Sequence, residues 1–100
     1  MDENRITGVT ESGFAFSFDK RVLSDWRFME LLGILSDENV TEMAKVNGYT
    51  RLVTMLLGAE QKKALLEHVS KENDGFAPMD KVEKVLNEIM FASAEREIKN

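Results

Sequence analysis

Hydrophobic residues change their spacing once along this chain. Over the first twenty positions they alternate: Phe14, Phe16 and Phe18 are separated by Ala15 and Ser17, and Ile6 and Val9 stand among Thr and Gly. A period of two puts the three phenylalanines on one face of a strand. Between the two runs lies Glu11-Ser12-Gly13, a short turn whose glycine can take a positive φ. The pattern predicts an antiparallel hairpin from residues 5–10 and 14–18. Two strands alone are marginal in water, so the Phe face needs cover from the remaining chain.

From Leu23 onward the spacing is helical. Ser24 or Asp25 caps a first helix whose apolar residues are Trp26, Phe28, Met29, Leu31, Leu32, Ile34 and Leu35. Such a helix is apolar on nearly all sides, the mark of deep burial or of a face kept for a partner. After Ser36-Asp37-Glu38-Asn39, a second stretch spans about 41–57, with Val46, Tyr49, Val53, Leu56 and Leu57 on one stripe. Asn47-Gly48 is expected to split it, because glycine is a poor helix former. Gly58 reads as a helix terminator. A third helix is expected over 59–70, with Lys62, Leu65, Leu66 and Val69 inward and Glu60, Gln61, Lys63 and Glu67 outward. Lys71-Glu72-Asn73-Asp74-Gly75 is the clearest loop, and Pro78 suits the first turn of a last helix carrying Met79, Val82, Val85, Leu86, Ile89 and Met90. The fold class is therefore α+β, mostly α: one domain over 1–100, an N-terminal β-hairpin (about 5–18) packed on a compact bundle of four or five short helices (about 24–93), with a polar end at 94–100.

Composition narrows the chemistry more than the fold. One hundred residues with 13 basic and 18 acidic side chains carry a formal charge of −5. That balance counts against gripping a phosphate backbone, which rests on a basic footprint. With no cysteine, there is no disulfide scaffold, thiolate metal site or cysteine nucleophile. The single histidine, His68, reads as a surface or half-buried residue making one hydrogen bond. The loop around Gly75 fails as an EF-hand: with Gly75 at position 6, the bidentate acid of position 12 falls on Lys81. No catalytic, metal or cofactor residue is expected, and the chain reads as a non-enzyme. The polar, acidic start, Met1-Asp2-Glu3-Asn4-Arg5, is unlike a signal peptide, and no apolar run nears the roughly 20 residues a bilayer requires. No membrane association is expected.

Several motifs occur in a particular order. Ile6-Thr7-Gly8 and Glu11-Ser12-Gly13-Phe14 open the chain, and Leu23-Ser24-Asp25 starts the first helix. Then follow Leu52-Val53-Thr54-Met55-Leu56-Leu57-Gly58-Ala59-Glu60-Gln61, Leu66-Glu67-His68-Val69, and an Asp74-Gly75 turn leading through Pro78 to a terminal amphipathic helix. The ordered set, over roughly 6–91, resembles the small tail assembly chaperones of long-tailed phages and prophages of Gram-positive bacteria. Two departures stand out: Asp74-Gly75-Phe76-Ala77-Pro78 lacks the family's Arg after Gly, and Val46-Asn47-Gly48-Tyr49 interrupts a helix. The resemblance implies a protein that acts in the bacterial host cytoplasm, binds the tape measure protein, aids tail tube polymerisation, and is absent from the mature virion.

Such a role requires surplus apolar surface for an amphipathic segment. Trp26, Phe28, Leu56 and Leu57 are the expected partner anchors, since large apolar residues there exceed what one helix face needs. The acidic charge would keep such a surface soluble, and self-association through it into a homo-oligomer is open. An alternative of another class is a small helical nucleic-acid-binding regulator, in which Leu57-Gly58-Ala59 joins a helix-turn-helix pair.

Overall fold

The computed structural model describes residues 3–99, with side chains described as far as Ala92. Strands β1 (Arg5–Val9) and β2 (Ala15–Asp19) form an antiparallel hairpin, followed by a short 3-10 turn (Lys20–Ser24). Three α-helices follow: α1 (Trp26–Leu35), α2 (Glu42–Glu72) and α3 (Met79–Lys99). The α+β, mostly helical class holds, and the four or five helices expected from sequence are corrected to three. Among the described residues no helix is long and apolar enough to cross a membrane.

The hairpin closes as its turn chemistry dictates. Gly13 takes φ 96° and donates its N–H to the Thr10 carbonyl, while the Phe14 carbonyl accepts from Thr10 N–H. This is the three-residue loop in which glycine supplies the left-handed position. Pairing sets Ile6 opposite Phe18 and Gly8 opposite Phe16. The Phe16 ring lies across Gly8 so closely that a Cβ there would come within 2.8 Å of it. Phe14, Phe16 and Phe18 are all buried, with the Phe16 and Phe18 rings stacked at 6.1 Å between centroids. They join Phe28, Leu52, Leu56, Leu57, Leu65, Val69, Leu86 and Ile89 in one core.

Two Asp-x-Arg sequences start the next elements. The Asp19 carboxylate accepts from Arg21 N–H and from its guanidinium, capping the 3-10 turn. Those bonds hold Asp19 well below the ordinary carboxylate range, at about 2. Asp25 caps α1 in the same way through Arg27, and its pKa is lowered by that bonding too.

Helix α2 is the reason for the smaller helix count. It does not break at Gly48. That glycine is buried in helix, where a Cβ would come within 2.9 Å of Leu35 Cδ2, so its role is to admit α1 against α2. At Gly58 the helical conformation stops, as expected of a terminator: φ 85° and ψ 164° are non-helical, and two helical limbs of the element meet there across a kink. A straight helix of this length would run roughly 46 Å, whereas the longest dimension of the molecule is 36 Å. The bend makes two limbs that fold toward each other. The second limb ends in a Schellman closure: Gly75 N–H reaches the Ser70 carbonyl, with Asp74 in the left-handed position at φ 55°. That is the structural use of the Asp-Gly turn. Helix α3 runs on to Lys99, past the end expected near 93.

Candidate functional site

The motif residues come together, and what they build is a set of internal latches. Gln61, expected on an outer face, reaches β2 from one turn beyond the Gly58 bend. Its Oε1 accepts from Ser17 N–H at 2.8 Å, and its Nε2 donates to the Ser17 carbonyl at 2.7 Å and to the Leu57 carbonyl at 2.8 Å. The amide thus acts as a one-residue strand along β2, and it also satisfies a carbonyl that the Gly58 bend would otherwise leave without its helical partner. His68 works at the turn of the hairpin. Its Nε2 lies 3.1 Å from Ser12 Oγ and its ring packs 5.7 Å from that of Phe14. Glu88 of α3 accepts from Glu11 N–H at 2.9 Å. The turn of the hairpin and the middle of β2 are thereby fastened to helices.

Ser12, His68 and Glu72 invite comparison with a catalytic triad. Ser12 Oγ and Glu72 Oε1 both approach the same nitrogen, Nε2, the carboxylate at 3.8 Å. A triad requires the acid on the opposite ring nitrogen, where it fixes the tautomer. The arrangement instead serves as a tether between turn and helix.

Among the described residues, exposed apolar side chains gather in two places, while Val9, Met43, Phe76 and Phe91 are exposed elsewhere. The first is a cleft of about 200 Å³ between the two limbs of α2 and the start of α3, lined by Val46, Tyr49, Val53, Leu65, Leu66 and Val82 among others. It is smaller than the roughly 300–1,000 Å³ of small-molecule sites and suits the anchor side chains of a polypeptide. Thr50, Lys62 and Glu83 also line it, and the pKa of Tyr49 is pushed up to about 12, first by burial and then by its hydrogen bond to the Glu83 carboxylate and the charge there.

The second is the outer face of α1. Trp26 is 78% exposed, and Met29 and Ile34 stand beside it, each about half exposed. Of the four anchors expected from sequence, Trp26 alone lies on the surface. Phe28 is 1% exposed, and Leu56 and Leu57 are buried with it in the core. Their bulk fills the space between hairpin and helices, so no partner reaches them in this fold. Sequence reasoning missed Met29, Ile34 and the Tyr49–Glu83 pair. A helical projection of α1 carries the signal for the first two; nothing local carries one for the third.

No family model, curated protein or solved structure matches the chain.

Proposed function

We propose that this chain is a tail assembly chaperone of a long-tailed phage or prophage, with a binding role and no chemistry of its own. It holds an amphipathic segment of the tape measure protein in the host cytoplasm, helps tail tube subunits polymerise around it, and stays out of the mature virion. The observation that carries a holding role is the apolar cleft between the limbs of α2 and the start of α3, open to solvent and lined chiefly by apolar side chains, with Thr50, Lys62 and Glu83 also in its wall. An amphipathic helix offers side chains at i, i+3, i+4 and i+7 to such a cleft. The identity of the partner comes from the ordered motifs.

The placement of those motifs supports the reading. Gly58, Gln61, His68 and the Glu11-Ser12-Gly13 turn act within the molecule, fixing hairpin to helices. A holding protein needs a frame that does not rearrange when its apolar surfaces are loaded and emptied.

The test is co-expression of the tagged chain with fragments of the tape measure protein and with the tail tube protein of the same genome, followed by capture and sizing. A stable complex with a tape measure fragment is the expected result. Recovery of neither partner overturns the reading. A salt-sensitive gel shift with duplex DNA would favour the nucleic-acid-binding regulator in its place.

A further inference from the structure

Gly33 lies on the outer face of α1, and the fold does not require it. Its backbone is helical, and a Cβ at that position would meet no atom within 4 Å. Glycine is among the poorest residues for a helix interior. Gly48 differs, because there the Leu35 side chain occupies the space a Cβ would need. Gly33 follows Trp26 by seven residues and Met29 by four, and Ile34 follows Trp26 by eight, so helical spacing gathers all four on one side. The result is a flat spot with three large apolar side chains around it. How closely two helices approach depends on the side chains at their contact, and a bare glycine permits the closest approach.

The charge along this stretch of chain is mostly negative. From residue 24 to 41 the chain carries Asp25, Glu30, Asp37 and Glu38 against a single cation, Arg27, and Arg27 is bound to Asp25 at 2.9 Å. Glu30 lies on the outer face itself and makes no ion pair among the described residues. The last turn of α1 has no basic residue, so its exposed carbonyls add to the negative end where Asp37 and Glu38 follow. A second copy of the chain would bring the same acidic face and the same net −5. Like charge therefore disfavours pairing of this face with itself.

We infer that the outer face of α1 docks the apolar stripe of a basic amphipathic helix from a partner protein. Trp26, Met29 and Ile34 make the contacts, Gly33 is the point of closest backbone approach, and Glu30, Asp37 and Glu38 meet the partner's cations. The inference deepens the chaperone reading and rests on it for the idea that the chain holds helical segments; it adds the face used and the charge of the segment held.

The single tryptophan makes the test direct. Two synthetic peptides of about 18 residues, five helical turns, are titrated into the full chain: one with leucines at helical spacing on a lysine background, the other with glutamate in place of every lysine. The lysine peptide is expected to shift Trp26 emission to the blue and to saturate, with affinity falling at least about tenfold as salt rises from about 50 to about 500 mM. The glutamate peptide is expected not to bind. Gly33→Leu is expected to raise the melting temperature yet weaken the lysine peptide by about tenfold or more, read from the anisotropy of labelled peptide. Glu30→Lys with Glu38→Lys should weaken it comparably.

Equal binding of the two peptides overturns the inference, as does unchanged binding by Gly33→Leu. A blue shift that grows with protein concentration alone, together with a dimer mass, also overturns it in favour of a second copy. Capture of a tape measure fragment that survives Gly33→Leu overturns this inference and leaves the chaperone reading standing, with the cleft as its site. Peptide binding as expected without any tape measure capture does the reverse.

Discussion

The two sides of α1 differ little in composition and entirely in fate. Phe28, Leu31, Leu32 and Leu35 lie inward, Phe28 in the core and the other three packed against it. Trp26, Met29 and Ile34 lie outward, nearly as apolar and largely exposed. A helix ten residues long has room for one covered face here, and among the described residues α2 and the 3-10 turn are its main neighbours. What decides the covered side is partly a glycine on another helix: Gly48 gives Leu35 a place to pack. The hydrophobic effect explains why the inner side is buried. It gives no reason within this chain for the outer side, and an exposed apolar cluster of that kind marks an interaction surface.

The contrast is broken most directly by truncating one residue from each side. Phe28→Ala removes a fully buried ring and is expected to cost about 3–5 kcal/mol in urea unfolding. Trp26→Ala should lie within about 0.5 kcal/mol of the parent. If the Trp26 variant is instead strongly destabilised, the outer face contributes to folding, and its use as a docking surface loses its main support.

Next in size is the latch. Gln61→Ala leaves the Ser17 N–H and carbonyl, and the Leu57 carbonyl, without their side-chain partner. Stranding partly buried backbone groups should cost about 1–3 kcal/mol, with hydrogen exchange at Ser17 quickening more than at Ile6. Gln61→Glu keeps the acceptor and loses both donors, so it is expected to fall between Gln61→Ala and the parent. These variants sharpen the contrast because they loosen the frame while leaving both apolar surfaces intact in sequence.

Much of that frame was legible in the amino-acid sequence, for reasons that are local. Alternation of three phenylalanines around small residues admits little but a strand, and Gly13 at the end of a three-residue gap admits a hairpin. Asp25 and Pro78 mark helix starts through their own chemistry. The glycines were harder to read. A glycine in a helical pattern signals weakness, but whether the chain bends, ends or packs closely there depends on a neighbour far away in sequence. At Gly48 the neighbour is Leu35; at Gly58 the chain bends and brings Gln61 to Ser17, 44 residues away. The expected anchors fell short for a related reason. Periodicity identifies an apolar face but not what covers it, so Phe28, Leu56 and Leu57 looked like Trp26 until the hairpin was set on top of them.

The cleft offers a titration in place of a truncation. Tyr49 is the one tyrosine, so the rise of phenolate absorbance reports it alone. Its folded pKa of about 12 lies above an ordinary tyrosine's 10, which means that the fold favours the neutral phenol. The stabilisation is fully present below about pH 10 and is lost as pH rises through about 12. Glu83→Gln removes the hydrogen-bonding carboxylate and its charge but leaves the larger cause, burial, in place. The midpoint is therefore expected to fall part of the way from 12 toward 10. A midpoint that stays at 12 would mean Glu83 does not engage the phenol, and one that reaches 10 would mean the cleft is wetter than its lining implies.

The smallest effect separates the two helical glycines. Gly33→Ala adds a methyl where nothing lies within 4 Å and removes the entropic penalty of glycine in a helix, so it should stabilise the chain by roughly 0.5–1 kcal/mol. Gly48→Ala gains the same helical preference but pushes its methyl to within 2.9 Å of Leu35 Cδ2. The strain of moving that side chain offsets the gain, so Gly48→Ala should be less stable than Gly33→Ala in thermal unfolding. Equal stabilisation by the two would mean that Leu35 yields freely and that α1 is loosely held on its inner side. The contrast between its faces would then be one of degree. A clear gap would mean that the inner side needs its glycine for the fold, whereas the outer side keeps one at the expense of stability, a sequence feature that makes physical sense only if another molecule comes close there.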